Sequence, residues 1–184
     1  MIIIKNNYYI YIDNINDLNF NVLKVNKKIN IIFRNYKNYK LKEIVKFKKN
    51  CKIKKFKFFI ANEAGLAQSS KADGLYISAY NKKKYHNTLF KIGSAHNLKE
   101  INEKYNQNCR LIIFSRLFKT NYSNKKTHLG VLRFNLLNSK FKFNLIPLGG
   151  INYQNLLKLN MIKSNGFAIL SAIKKKPVIA NRLF

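Results

Sequence analysis

Eight short runs rich in Ile, Leu, Phe and Tyr, spaced along 184 residues, constrain this chain most. They lie at 8–12, 29–33, 56–61, 74–77, 89–92, 111–114, 145–148 and 166–170. None alternates strictly apolar with polar, which suits strands buried on both faces. Helix-like stretches stand between many of them. Residues 41–47 place Leu41, Ile44, Val45 and Phe47 at near-helical spacing, with Glu43 and Lys46 on one face. Asn97 is set to cap a helix over 98–105, with Glu100 at the third helical position as in a capping box. Further helices are expected from Asp17 to about Val25, over 64–70 as a small-residue turn, over 131–137, and over 153–159 behind Asn152. Strand and helix in alternation imply a parallel sheet. Eight such units favour an α/β fold of the TIM (β/α)8 barrel type, with a doubly wound open sheet as the second option. A complete barrel usually takes about 200 residues or more, so this one is slightly trimmed. The length leaves room for one domain, 1–184.

The chemistry concentrates at Asn144 to Ile151, where a buried strand runs into Gly149 and Gly150. Two glycines at a strand end let the backbone approach a ligand and aim N–H groups at it. Ser171, after the last strand, opens a helix and adds N–H groups with a favourable dipole. After strands seven and eight of a barrel, such a cradle holds phosphate; read plainly, it is a tight turn followed by a cap. Other strand ends deliver Arg34, Asn62 with Glu63, and Ser94 with His96, while Thr120 sits in a long polar loop suited to a lid. The competing reading makes Arg34 one solvated cation among many, Glu63 a helix-capping acid, and His96 an ordinary loop residue. His86 and His128 have no carboxylate or Cys at ligand spacing, and no Walker loop, Gly-x-Ser-x-Gly or dinucleotide fingerprint occurs.

The formal net charge of +29 invites a polyanion as partner. Yet Lys, Asn, Ile, Tyr and Phe, whose codons are A- and T-rich, are all abundant, and the lysines are scattered from Lys5 to Lys176. Base bias accounts for that pattern better than nucleic-acid binding does. The field still draws in anionic ligands such as phosphorylated substrates. Cys51 and Cys109 have no CxxC spacing, which fits a reducing compartment. The apolar run at 1–4 is too short for a signal peptide, and no stretch approaches the about 20 apolar residues of a membrane span. The expected location is the cytoplasm, without a membrane partner.

Several short motifs fall in a telling order. They are Ala72-Asp73-Gly74-Leu75, Gly93-Ser94-Ala95-His96, Leu117-Phe118-Lys119-Thr120, His128-Leu129-Gly130, Gly149-Gly150-Ile151, Gly166-Phe167-Ala168 and Ser171-Ala172-Ile173. Together they resemble the thiamine-phosphate synthase and thiazole tautomerase (TMP-TENI) family of β/α barrels, over roughly 29–173. The resemblance implies a magnesium-assisted transferase of thiamine biosynthesis. It would join hydroxymethylpyrimidine diphosphate to thiazole phosphate and expel pyrophosphate. It implies Gly149, Gly150 and Ser171 on the thiazole phosphate, Arg34, Lys37 and Thr120 on the pyrophosphate, and Asn62 with Glu63 at Mg2+. Ser94 and His96 would touch substrate.

The match is partial. Of the family's Gln-x-Arg-x-Lys only Arg34 remains, with Lys37 shifted by one. The second metal-binding Asp falls at Asn81, the His of Asp-Gly-Val-His at Tyr76, and the tautomerase His at Arg116. The resemblance therefore leaves open a diverged member: an isomerase of thiazole phosphate using His96, or a binder of a phosphorylated ligand or RNA.

Overall fold

In a computed structural model that describes residues 5, 7–18, 20, 28–86, 88–120 and 127–170, eight parallel strands close into a barrel in chain order. They are β1 (Asn7–Ile12), β2 (Lys28–Phe33), β3 (Lys57–Ala61), β4 (Gly74–Ile77), β5 (Phe90–Ala95), β6 (Leu111–Ser115), β7 (Asn144–Leu148) and β8 (Gly166–Ile169). Closure comes from β8 pairing back onto β1, from Asn7↔Gly166 to Ile10↔Ile169, which rules out the open sheet. Gly166 is required there, because a Cβ would run into the Asn7 carbonyl of the neighbouring strand.

Around the barrel lie α1 (Leu41–Ile53), α2 (Ala64–Ser69), α3 (Leu98–Asn106) and α4 (Gly130–Asn138), with 3-10 helices at Ile15–Asp17, Tyr36–Asn38 and Tyr153–Met161. Three expectations change. Asp17 does not head a helix; it closes the 3-10 helix Ile15–Asp17, where its carboxylate accepts the Asn14 N–H at 3.1 Å as the acidic half of a capping box. The helix expected through Val25 lies largely outside the described residues, as do Ser171 and the tail. The link from β4 to β5 holds no helix among the described residues, so the alternation is not strict. Finally, β5 does not stop at Ile92 but runs on through Gly93 and Ser94. Gly93 permits this, since a Cβ there would lie 2.9 Å from the Lys104 side chain of α3.

Strand parity sorts the core into two layers. One set, including Ile10, Ile31, Phe58, Leu75, Ile112, Leu145 and Phe167, packs against Ile44, Phe47, Ile101 and Phe134 of the helices. The other, including Tyr9, Ile32, Phe59, Ile92, Ile113, Ile146 and Ala168, fills the barrel interior. Burial on both faces is why the strands read as unbroken apolar runs. Cys51 and Cys109 are buried and free, and burial pushes their thiols up to about 12 and about 11. Neither is expected to react with a thiol reagent at mildly alkaline pH until denaturant is added, since attack requires the thiolate. A colorimetric thiol count in native buffer and then in denaturant checks this. No described helix is long and apolar enough to cross a membrane.

Candidate active site

The inward parity continues to the C-terminal strand ends, where it lines a cavity of about 1180 Å³. Tyr11, Ala61, Tyr76, Ser94, Ile113, Ser115 and Leu148 all face it, each in phase with an interior residue two positions earlier. The C-terminal face is where barrels of this kind carry their sites. Among the expected residues, Arg34, Asn62, Ser94, His96, Thr120, Gly149 and Gly150 come together on this one cavity. Lys37 and Glu63 do not line it; both are exposed.

The floor is a hydroxyl pair. Tyr11 of β1 donates to the Tyr76 hydroxyl of β4 at 3.2 Å, with the rings edge-on at 5.4 Å. Tyr76 also bonds Ser94, and burial raises both phenols above their ordinary range. Both therefore stay protonated, with the Tyr11 O–H given to the Tyr76 oxygen.

At the β3 end the backbone explains why Asn62, and not Glu63, turns inward. Asn62 adopts φ +61°, which ends the strand and breaks its parity. Its Oδ1 then accepts from Ser78 N at 2.9 Å, Ser78 Oγ at 3.0 Å and Asn81 Nδ2 at 3.0 Å. Tyr85 donates to the Asn62 carbonyl at 2.6 Å. Glu63 is left at the head of α2. A consequence is testable. Asn62→Asp keeps an acceptor for all three donors and is expected to stay within about 1 kcal/mol of the parent, whereas Asn62→Ala orphans them and costs roughly 2–4 kcal/mol in urea unfolding.

Cations form the walls. Arg34 is held by Asp13 through two parallel bonds of 2.9 and 2.8 Å and lies 5.3 Å from the Tyr11 ring centre. Arg116 donates to Thr120 Oγ1 at 3.0 Å, and Arg133 of α4 also faces the cavity. Ser115 Oγ and His96 Nδ1 share a 2.6 Å hydrogen bond, and the His96 backbone N–H donates to Glu100 Oε2 at 2.7 Å.

The glycine turn after β7 is zipped to the loop after β6. Leu117 N donates to Leu148 O at 2.9 Å and Phe118 N to Gly149 O at 3.1 Å. Gly149 and Gly150 have φ of +100° and +69°. The turn packs against Arg116, whose side chain a Cβ at Gly149 would meet at 3.0 Å, and Thr120 lines the same cavity.

Sequence reasoning did not single out Tyr11, Arg133 or Thr127, and noticed Arg116 only as a departure from the family pattern. Parity along 7–12 was the available signal for Tyr11. For the arginines, nothing in the sequence distinguishes two of 36 Lys and Arg residues before the fold is known. A second hollow of about 1220 Å³ lies among Lys84, Phe90, Arg110 and Asn144 at the N-terminal strand ends, the face that carries stability in these barrels.

Comparison with known proteins agrees with this architecture. The family model described as thiamine monophosphate synthase (TMP-TENI) matches residues 22–173. A thiamine-phosphate synthase of Prochlorococcus marinus subsp. pastoris is 30% identical over 94% of this chain and 52% of its own length. Another, from Prochlorococcus marinus, is 28% identical over 72% of this chain and 40% of its own. The chain thus spans about half the length of these relatives. Among solved structures, a thiamine phosphate pyrophosphorylase from Pyrococcus furiosus superposes with a TM-score of 0.76 at 18% identity, covering 98% of this chain and 93% of the other. That likeness speaks to the barrel alone. On the breadth of the family match, the chain belongs to the thiamine monophosphate synthase (TMP-TENI) family.

Proposed function

We propose that the chain is a thiamine-phosphate synthase, a cytoplasmic transferase acting on two phosphorylated small molecules. The thiazole ring nitrogen would form a C–N bond to the pyrimidine methylene as the C–O bond to the diphosphate breaks. Pyrophosphate would leave with that electron pair. The barrier in such a displacement lies in the departing negative charge, so the protein's task is to position the partners and meet that charge. The observation that carries the reading is the joining of the Gly149–Gly150 turn, Thr120 and three arginines on one barrel-mouth cavity. In this reading the glycine turn, with Ser171 beyond the described residues, holds the thiazole phosphate. Arg116, Arg133 and Thr120 take the diphosphate. Arg34, clamped by Asp13, borders the same space, and the Tyr11, Tyr76 and Ser94 hydroxyls orient the ring polar groups.

The residues present do not suit the magnesium ion that the family uses. Such a site takes one or two carboxylates besides phosphate oxygens. Glu63 does not line the cavity, the second acid is Asn81, and no cluster of three His, Cys, Asp or Glu occurs among the described residues.

The test is to incubate the protein with both substrates, with and without magnesium, and assay thiamine phosphate. Product is expected, and Arg116→Ala is expected to lower kcat by about two orders of magnitude. No product at high protein concentration in either buffer rules the activity out. A second reading, an isomerase of a thiazole phosphate, draws on the His96–Ser115 pair at 2.6 Å. Undiminished isomerisation by His96→Ala removes it.

A further inference from the structure

We propose that this cavity takes a diphosphate group directly on guanidinium groups, with no divalent cation between anion and protein. The identity of the anion rests on the synthase reading above. The chain has only seven acidic residues, and none of them lines the cavity. Asp13 is committed to Arg34, Asp73 to Lys48, and Asp17 and Glu43 to backbone N–H groups at helix starts. The Glu100 carboxylate accepts from the His96 backbone N–H and from Nδ2 of Asn97, the residue that caps α3. Glu103 borders the hollow at the opposite end of the barrel, and Glu63 is exposed at the head of α2. The residues outside the description contain no Asp or Glu, so they bring no missing ligand.

The amides that stand where carboxylates would coordinate are turned onto one another. Asn81 Nδ2 donates to Asn62 Oδ1 at 3.0 Å and to Tyr85 Oη at 2.9 Å, and its Oδ1 accepts from Lys83 N at 2.9 Å. Asn62 Oδ1 carries three donors in all. Its lone pairs are spent on N–H and O–H groups, and Asn81 presents hydrogens where a metal needs an oxygen. Behind this lock is a fixed cation. Lys104 is fully buried, with its ammonium 2.7 Å from the Asn81 carbonyl and 2.9 Å from Gln107 Oε1. A dication placed at Asn81 would face that charge with no carboxylate to offset it. The cavity wall, by contrast, offers planar, permanently charged forks that match phosphate oxygens in pairs.

Calorimetric titration of sodium pyrophosphate into the whole chain, once in excess EDTA and once in excess magnesium chloride, tests this. Saturable binding in EDTA is expected, no tighter with magnesium present because the metal competes for the free anion. Arg116→Gln is expected to weaken the EDTA titration by about tenfold or more. Binding that appears only with magnesium, or is tightened by it, overturns metal-free recognition and leaves the synthase reading standing. Binding in neither buffer overturns both.

Discussion

Gly150→Ala is expected to cost the protein more than any other single methyl group in the cavity wall. Two effects add. At φ +69° an alanine sits in the left-handed region, at about 1–2 kcal/mol. The new Cβ would also stand 2.5 Å from the Lys119 carbonyl oxygen, 2.6 Å from the Phe118 carbonyl carbon and closer still to its oxygen. These are backbone atoms, so no side-chain rotation relieves them. The turn after β7 has to part from the loop after β6, straining the Leu117–Leu148 and Phe118–Gly149 hydrogen bonds. The combined loss is roughly 3 kcal/mol or more. It also spreads Arg116 and Thr120 away from the glycine turn, so phosphate affinity should fall even where the fold survives. Gly130→Ala is the control: φ is +71°, but nothing lies within 4 Å of its Cβ. It carries the conformational strain alone, about 1–2 kcal/mol. Urea unfolding of both variants, with a phosphate titration of each, decides the matter. If the two lose equal stability, the contact between the loops contributes nothing.

The barrel was legible because its signal is redundant. Each strand is buried twice, so each appears as a separate apolar run, and chain-order pairing needs only right-handed crossovers between neighbours. The Asn97 cap was equally plain, since a short polar side chain three residues ahead of Glu100 has one obvious job. Errors arose where tertiary packing overrides local preference. Gly93 and Ser94 look like a strand stop, yet β5 continues because α3 presses Lys104 into the space a side chain would occupy. The residues 153–161 carry helical periodicity but settle as a 3-10 helix. At the site, the glycine pair and the residues in phase with the strands were readable. Glu63 falls outside the cavity lining because a positive φ at Asn62 turns the chain by one residue, and that conformation has no unique sequence mark. Lys37 lies outside the lining for a related reason: it falls in the 3-10 helix Tyr36–Asn38, after strand parity has ended.

Alkaline pH is expected to unfold the chain between about 10 and 12, and the cause is its buried phenols and thiols. Burial raises Tyr8 and Tyr9 from 10.0 to about 12. Tyr11 and Tyr76 are raised as well, and the two cysteines rise from 9.0 to about 12 and about 11. For each group the folded value exceeds the unfolded one. Between the two, the unfolded chain has released its proton and the folded chain has kept it. Fewer protons on the unfolded state means that stability falls as pH rises. The contribution is complete below about pH 9 for the thiols and 10 for the phenols, and is gone above the folded values. For Tyr8 and Tyr9 it amounts to roughly 2–3 kcal/mol each. Lys5 and Lys104 act the other way: burial lowers both, so stability rises with pH between their lowered folded values and 10.5, where only the unfolded chain still holds the proton. Loss of surface lysine charge also relieves self-repulsion at +29. Six groups against two, set beside the 5–15 kcal/mol typical of a domain, still bring the transition inside that window. Circular dichroism followed with tyrosinate absorbance should show the exposed phenols titrating first and the buried ones only together with loss of structure. Tyr9→Phe should move the midpoint upward, since it removes a buried ionisable group from the barrel interior. Full ellipticity retained at pH 12, with all 11 tyrosines ionised near their ordinary value, would contradict the burial described here.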